Sequence, residues 1–231
     1  ELLAEASTRE LDVEIAAVGV SGMGPCVLLA DDADEPVRPA ILYGVDTRAT
    51  AQIDRMTAEL GVDDITRVGG STLTTQAGGP KIVWIADEEP AAYAAARRLF
   101  MPASWLARHL TGAYVLDHQS ASQVSPLYDV EREEWHAGNW ARFASGIEAP
   151  RLLWAGDIAG TVTARASGET GLAVGTPVIV GTIDAASEAV SVGVLDPGDM
   201  MVMYGSTIFI IMVTAARVSD SRLWYAPWLF P

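Results

Sequence analysis

The feature that most constrains the fold of this chain is the alternation of short apolar runs with segments of helical pattern. Apolar runs of strand length occur at residues 15–20, 27–30, 99–101, 158–163, 176–180 and 208–213. Segments whose apolar residues have helical spacing lie between many of these runs, for example Ser104–Leu110 and Ala185–Val192. Strands that alternate with helices bury their apolar faces as a sheet covered by helices. The sequence therefore predicts an α/β fold, with a mixed sheet flanked by helices.

Local signals predict where several helices begin and end. Residues 2–11 indicate an opening amphipathic helix. Asp46 or Thr47 is expected to cap a helix that runs to about Leu60, where Gly61 supplies a left-handed stop.

Two further segments differ in how much the sequence says about them. Pro80 is expected to set the start of a helix whose first residue is Lys81. Between 117 and 150 the pattern weakens, and we expect helices and loops without defined edges. Met200–Tyr204 and Ile208–Val213 are two apolar strands joined by a short turn, which predicts a hairpin.

The charge of the chain argues against several classes of partner. Lys and Arg number 15 against 30 Asp and Glu, a formal net charge of -15. Such a chain repels the phosphates of nucleic acids and anionic lipid headgroups, unless basic residues cluster locally. Arg97-Arg98 is only an isolated basic pair within an Ala-rich helical stretch. We expect no nucleic acid and no membrane as a partner.

The single cysteine and the start of the chain indicate a reducing compartment. Cys26 can form no internal disulfide and is expected to be a small buried side chain rather than a nucleophile. Residues 1–10 lack the basic and apolar regions of a signal peptide, and Gly205-Ser206-Thr207 interrupt the most apolar stretch. The expected location is the cytoplasm.

Asp184 is the carboxylate best placed for chemistry. It lies where the strand 176–180 gives way to the helix that begins at Ala185. Open α/β sheets present functional groups in a crevice at such strand ends, where a carboxylate can accept a hydroxyl proton. From the spacing alone, Asp184 could equally be the cap of the following helix.

The turn after Tyr204 is a second candidate site. Gly205, Ser206 and Thr207 offer backbone N–H groups and two hydroxyls, which can hold a phosphate without a lysine. A hairpin between two core strands favours the same small residues for backbone reasons alone.

Two other motifs do not fit the chemistry that they suggest. Gly78-Gly-Pro-Lys81 lacks the spacing that carries a Walker lysine to the terminal phosphates. His109, His118 and His136 are not spaced as a metal pair on one helix face, and only one cysteine could join them. We expect no metal held by the side chains of this chain.

Taken in order, several segments resemble the first domain of the FGGY carbohydrate kinases, the family of xylulokinase, ribulokinase, gluconokinase and glycerol kinase. Their order and spacing carry the resemblance. The segments are Ile15–Gly22, Arg38–Arg48, Pro80–Trp84, Phe100–Gly112, Gly160–Thr163, Gly175–Val178, Gly181–Ala186 and Tyr204–Thr207.

The resemblance implies an actin-like, ribonuclease-H-like fold whose two domains close on sugar and Mg-ATP. Asp184 falls at the family's catalytic aspartate. It would take the proton from a sugar hydroxyl that attacks the γ-phosphate, while Mg²⁺ offsets the developing charge. Gly205, Ser206 and Thr207 fall at the second phosphate-binding turn. The implied cofactors are therefore ATP and Mg²⁺.

The resemblance also points to residues that would hold the sugar. Gly24 and Pro25 align where xylulokinases carry a Met-His pair, so backbone groups would replace polar side chains there. Gln76 aligns with a substrate-contacting position of glycerol kinase. Asp46 and Arg48 match the family's Trp-x-Asp-x-Arg region, or else they are a helix cap and a surface charge.

Two family features have no counterpart in residues 1–231: the N-terminal Asp-x-Gly-Thr hairpin and the second domain with its adenine site. We therefore expect residues 1–231 to be an incomplete sugar-binding domain of a longer kinase.

The leading hypothesis is an ATP-dependent kinase of a ketopentose or related polyol, with a xylulose-like substrate favoured. The alternative is an inactive sugar-binding regulator of the same fold, and a polyphosphate or acyl-phosphate enzyme fits less well. A small-molecule sugar is the expected partner, and a homodimer is left open.

Overall fold

The computed structural model describes residues 14–205, 208–218, 220 and 222–231. The helices of this part of the chain are α1 (Thr50–Leu60), α2 (Val62–Gly69), α3 (Gly78–Glu88), α4 (Pro90–Ala95), α5 (Pro102–Thr111), α6 (His118–Ser122), α7 (Ala137–Phe143), α8 (Ala164–Thr170) and α9 (Asp184–Ser191). The strands are β1 (Ser21–Gly22), β2 (Leu28–Ala30), β3 (Arg98–Phe100), β4 (Val115–Asp117), β5 (Tyr128–Asp129), β6 (Glu134–Trp135), β7 (Arg151–Leu153), β8 (Ile158–Thr161), β9 (Pro177–Ile179), β10 (Thr182–Ile183), β11 (Met200–Tyr204) and β12 (Ile208–Met212).

The strands pair in both directions, which confirms the mixed α/β prediction. The pairs β1–β10 and β4–β7 are parallel. The pairs β2–β3, β5–β6, β8–β9 and β11–β12 are antiparallel. A parallel bridge between Val18 and Val178 extends the β1 side toward β9. Parallel neighbours end at the same edge, so residues after β1 and β10 lie side by side.

The passage from β9 through β10 into α9 depends on one glycine. Gly181 has a φ of 73°, a conformation that L side chains rarely adopt. A Cβ at this position would lie 2.0 Å from the Val20 carbonyl oxygen. The strand can therefore turn closely past the neighbouring chain and resume as Thr182–Ile183, in register with Ser21–Gly22.

The largest apolar core lies where α1, α3, β2 and β3 meet. Leu29, Met56, Ile82, Ile85 and Leu99 are each almost fully buried within it. Burial of a side chain of this size contributes about 1.5–3 kcal/mol. This core fixes α3 and the segment before α1, both of which contribute to the site described below.

Most predicted elements are confirmed, with shifted bounds. The apolar run 15–20 makes only the Val18 bridge, and regular pairing begins at Ser21. Residues 115–117 and 151–153 form the parallel pair β4–β7, which the sequence pattern did not indicate. The predicted helix over 2–11 lies outside the described residues.

Two predicted helix starts are wrong. Helix α1 begins at Thr50, with Ala49 at the cap position and no side-chain cap, so neither Asp46 nor Thr47 caps it. The Asp46 carboxylate binds Arg48 instead. Helix α3 begins at Gly78, so Lys81 lies inside its first turn and points into the protein.

The β11–β12 hairpin is confirmed and has two apolar faces. On the inner face, Met201 and Val213 pack with Ala189 of α9. The outer face is exposed to solvent along its length, and the exposed residues are Met200, Val202, Tyr204, Ile208, Ile210 and Met212.

None of the helices within these described ranges is long and apolar enough to cross a membrane.

Candidate active site

Asp184 stands at the first position of α9, directly after β10. Ile183 occupies the cap position, so the structure does not use Asp184 as the helix cap. The Oδ1 atom of Asp184 accepts the N–H of Ala185 at 2.8 Å, and the side chain is only partly buried. A partly buried carboxylate at a strand end can accept a proton from a bound hydroxyl.

Gly24 and Pro25 lie at the same edge, because they follow β1, the parallel neighbour of β10. A Cβ on Gly24 would lie 2.2 Å from Cγ2 of Ile183, the residue before Asp184. The hydroxyls of Ser21 and Ser187 are 3.0 Å apart and join β1 to α9. The structure thus places Gly24 and Pro25 at the same strand edge as Asp184, with Gly24 packed against Ile183.

The buried carboxylate of Asp117 binds Thr182 of β10. Asp117 ends β4, and its Oδ2 accepts the N–H of Ser120 at 3.0 Å and the hydroxyl of Thr182 at 2.8 Å. Burial raises the pKa of Asp117 to about 6. Asp117 therefore caps α6 and ties it to the strand that carries Asp184.

His118 follows Asp117 and was considered in the sequence only as a metal ligand. Its Nδ1 lies 2.7 Å from the hydroxyl of Tyr128, and its ring centre lies 4.4 Å from that of Trp154, with the two rings tilted by 36°. Burial lowers the pKa of His118. His118 is thus held by the aromatic side chains of Tyr128 and Trp154.

Lys81 is the main residue that sequence reasoning missed. It is 1% exposed, and its Nζ donates to the carbonyl oxygens of Leu42 and Tyr43. Burial lowers the pKa of Lys81 to about 8. The lysine thus holds the segment that leads into Asp46, rather than a phosphate.

Gln76 holds the same segment from a second direction. Its Oε1 accepts the N–H of Gly44 at 2.9 Å, and the Thr75 hydroxyl donates to the Gly44 carbonyl at 3.0 Å. The Nε2 end of Gln76 is the part of the side chain that this contact does not use. Gln76 therefore orders the loop through Gly44.

Asp46 and Arg48 form an ion pair at the end of this segment. Arg48 Nε donates to both carboxylate oxygens, at 2.8 and 3.0 Å, and holds the pKa of Asp46 below its usual range. The Arg48 guanidinium lies 4.8 Å from the centre of the Trp84 ring. The two side chains are thus ordered relative to α3.

Cys26 is a buried thiol that directly follows Pro25. Burial raises the pKa of the Cys26 thiol, while a hydrogen bond with the Tyr43 backbone and the Lys81 charge oppose the rise. The negative charge of Asp184 adds to the rise. The thiol is 3% exposed, in agreement with the prediction of a small buried side chain.

The predicted phosphate turn is only partly described. Gly205 follows β11. Ser206 and Thr207 lie outside the described residues, so the turn stays a prediction. In the part of the chain that the structure describes, no group of three or more His, Cys, Asp or Glu side chains could hold a metal ion.

Comparison with known proteins identifies the family. Residues 3–191 match the family model described as "FGGY family of carbohydrate kinases, N-terminal domain". The chain belongs to this family, and the predicted resemblance is confirmed. Its fold is the actin-like fold of these sugar kinases.

Individual relatives are kinases of two kinds. The chain is 33% identical to a xylulose kinase of Streptomyces rubiginosus over 214 residues, which cover 90% of this chain and 42% of the relative. It is 30% identical to an autoinducer-2 kinase of Yersinia enterocolitica over 198 residues, covering 83% and 36%. The crystal structure of a xylulose kinase from Rhodospirillum rubrum superposes with a TM-score of 0.91 at 30% identity, covering 99% of this chain and 47% of that one. The chain spans less than half the length of these relatives.

Proposed function

We propose that the protein carrying this chain is an ATP-dependent carbohydrate kinase that phosphorylates a hydroxyl of a ketopentose or related polyol. One observation supports this most strongly: a partly buried carboxylate, Asp184, follows a parallel strand in a domain of the FGGY family. A xylulose-like substrate is favoured, because the xylulose kinase of Streptomyces rubiginosus is 33% identical to the chain and the autoinducer-2 kinase of Yersinia enterocolitica is 30% identical.

In the proposed reaction, Asp184 acts as the general base. As a sugar hydroxyl oxygen attacks the γ-phosphorus, its proton passes to the Asp184 carboxylate, and the bond from phosphorus to the β-phosphate oxygen breaks. The products are a sugar phosphate and ADP. The backbone at Gly24 and Pro25, which follows the neighbouring strand, is proposed to help place the hydroxyl.

The loop held by Lys81 and Gln76 would supply the opposite wall of the sugar site. Its carbonyl groups at 42 and 43 are already bound to Lys81, and its N–H at Gly44 to Gln76. The ordered loop reduces the entropy that sugar binding must overcome. Asp46 and Arg48 are proposed to contact the sugar from this loop.

ATP and Mg²⁺ are proposed from the family alone. Gly205, Ser206 and Thr207 would offer donors to the nucleotide phosphates. Mg²⁺ would be bound largely through the nucleotide, as is usual in kinases, rather than by the described residues. A second ATP-binding domain beyond residues 1–231, a cytoplasmic location and homodimer formation stay predictions.

A coupled ADP-release assay on the complete protein tests the proposal. D-xylulose, D-ribulose, autoinducer-2, D-gluconate and glycerol are supplied in turn with Mg-ATP. The proposal expects release with at least one neutral substrate, at about 1–100 s⁻¹. Sugar binding without any ADP release would instead support the regulatory alternative.

A further inference from the structure

The strand that leads into Asp184 is short and has two attachments to the rest of the fold. Strand β10 has two residues, and among the described residues it pairs with β1 alone. On the β1 side, the Ser21 and Ser187 hydroxyls lie 3.0 Å apart and supplement the backbone pairing. The second attachment is a side chain, since the Thr182 hydroxyl donates to Asp117 Oδ2 at 2.8 Å. Asp184 therefore lies two residues beyond a side-chain anchor.

This anchor is buried at both ends. Asp117 is 2% exposed and Thr182 is 4% exposed. An ionised carboxylate only accepts hydrogen bonds, so the hydroxyl proton of Thr182 points at Asp117. Both side chains are enclosed by protein, so water does not compete for the bond. A single directional contact thus fixes the Thr182 side chain.

Helix capping alone does not account for Asp117. Its bond to the Ser120 N–H caps α6, and a serine or an asparagine would cap a helix equally well. Such neutral caps avoid the desolvation of a buried carboxylate, which is the cause of the raised pKa of Asp117. Buried groups with shifted pKa values concentrate at functional sites. The contact that capping leaves unexplained is the one to Thr182.

We propose that Asp117 is a positioning residue of the reaction, which acts through Thr182 to hold the Asp184 carboxylate where it meets the sugar hydroxyl. The inference rests on the proposed function, in which Asp184 is the general base. Asp117 itself does not touch the substrate. Misplacement of a catalytic group by about 1 Å can lower a rate by about 100-fold, so loss of the anchor should lower kcat although the base is still present.

Steady-state ADP release by the complete protein tests the proposal. The probe is D-xylulose with Mg-ATP, or whichever of D-ribulose, autoinducer-2, D-gluconate and glycerol the wild type phosphorylates fastest. Thr182→Val keeps the shape of threonine and removes the hydroxyl, so kcat should fall by about 10- to 100-fold. The sugar Kd from titration without ATP should change by less than about 3-fold. Thr182→Ser retains the donor and should bring kcat back to within about 3-fold of the wild-type value.

A second background shows whether Thr182 acts through Asp184. In Asp184→Asn, the further change Thr182→Val should lower kcat by no more than about 3-fold, because the base that the anchor positions is already lost. A general loss of stability would instead lower kcat by the same factor in both backgrounds.

Thr176→Val is the matched control for the loss of a buried hydroxyl. Thr176 lies before β9, and its hydroxyl donates to the Ala173 carbonyl at 2.8 Å, so the substitution leaves the anchor intact. This variant should keep the wild-type kcat. If Thr182→Val fails to fold, Asp117→Asn keeps the size of the side chain and removes its charge. It should lower kcat by at least about 3-fold, since a neutral acceptor forms a weaker bond.

The positioning role and the kinase proposal fail separately in these measurements. A kcat within about 2-fold of the wild-type value in Thr182→Val, or in Asp117→Asn in its place, would overturn the positioning role and leave the kinase intact. Equal losses in Thr182→Val and Thr176→Val, or equal effects of Thr182→Val in both Asp184 backgrounds, would also overturn it. Absence of sugar-dependent ADP release by the wild type would refute the kinase, and the positioning role with it.

Discussion

Replacement of Thr182 by Val should expose the contribution of one buried, charge-assisted hydrogen bond. Valine keeps the shape of threonine, so the change removes the hydroxyl that donates to Asp117 Oδ2 at 2.8 Å. A hydrogen bond to a charged group contributes about 1.5–3 kcal/mol, and a neutral one about 0.5–1.5 kcal/mol. The loss should therefore depend on whether Asp117 is ionised.

The direction of the pH dependence follows from the raised pKa of Asp117, about 6 in the folded protein. The unfolded chain loses this proton near pH 3.9, so the folded state holds more protons between about pH 4 and 6. The group therefore contributes a loss of stability as pH rises through that window. At pH 8 Asp117 is ionised, and Thr182→Val should cost about 1.5–3 kcal/mol. At pH 5 the cost should fall to about 0.5–1.5 kcal/mol.

Urea unfolding followed by tryptophan fluorescence measures both values. Thr176→Val is the control, because the buried Thr176 hydroxyl donates to the neutral carbonyl of Ala173, and its cost should not vary with pH. In an Asp117→Asn background, Thr182→Val should cost the same at both pH values. Equal costs at pH 5 and pH 8 in the wild-type background would refute the ionised hydrogen bond.

Three further changes test other parts of the structure. Gly24→Ala places a Cβ against Ile183, so it should destabilise the protein by about 1–3 kcal/mol in urea unfolding. The open helical site Gly168→Ala should be neutral or stabilising, and equal effects would contradict the close approach. Burial lowers the pKa of Lys81 to about 8, so this group should add about 2–3 kcal/mol to the free energy of unfolding between pH 8 and pH 10.5. Lys81→Met should abolish that rise. A rise that survives the substitution would exclude Lys81 as its source. In the 231-residue chain, Ile210→Lys should lower the fluorescence of a hydrophobic dye, whereas an unchanged signal would show that the outer hairpin face does not bind it.

The sequence was sufficient for the fold class and for the position of Asp184. Strand and helix periodicity are local properties, and the Gly181-Thr-Ile-Asp184 passage carries its turn and strand end in adjacent residues. The helix over Ser104–Leu110 was also predicted from its spacing, and the structure has it at Pro102–Thr111.

The sequence was insufficient where a side chain acts across the fold. Lys81 was interpreted as an ordinary first helical residue, because its carbonyl partners lie about 40 positions earlier in the chain. Asp117 reaches Thr182 across 65 positions, and nothing in its own segment indicates that contact. The Asp46 carboxylate binds the Arg48 side chain instead of the N–H groups at the start of the helix. Residue preferences at helix caps do not show which of these two partners a carboxylate will bind.

The most direct test of the central claim is the turnover of Asp184→Asn in the complete protein. Asparagine keeps the size of the side chain but is a poor proton acceptor. We expect kcat for sugar-dependent ADP release to fall by about 10²- to 10⁴-fold, while the sugar Kd from titration without ATP changes far less. Glu188→Gln, an exposed change one turn along the same helix, should keep wild-type kcat. Near-normal turnover in Asp184→Asn would contradict the assignment of Asp184 as the general base.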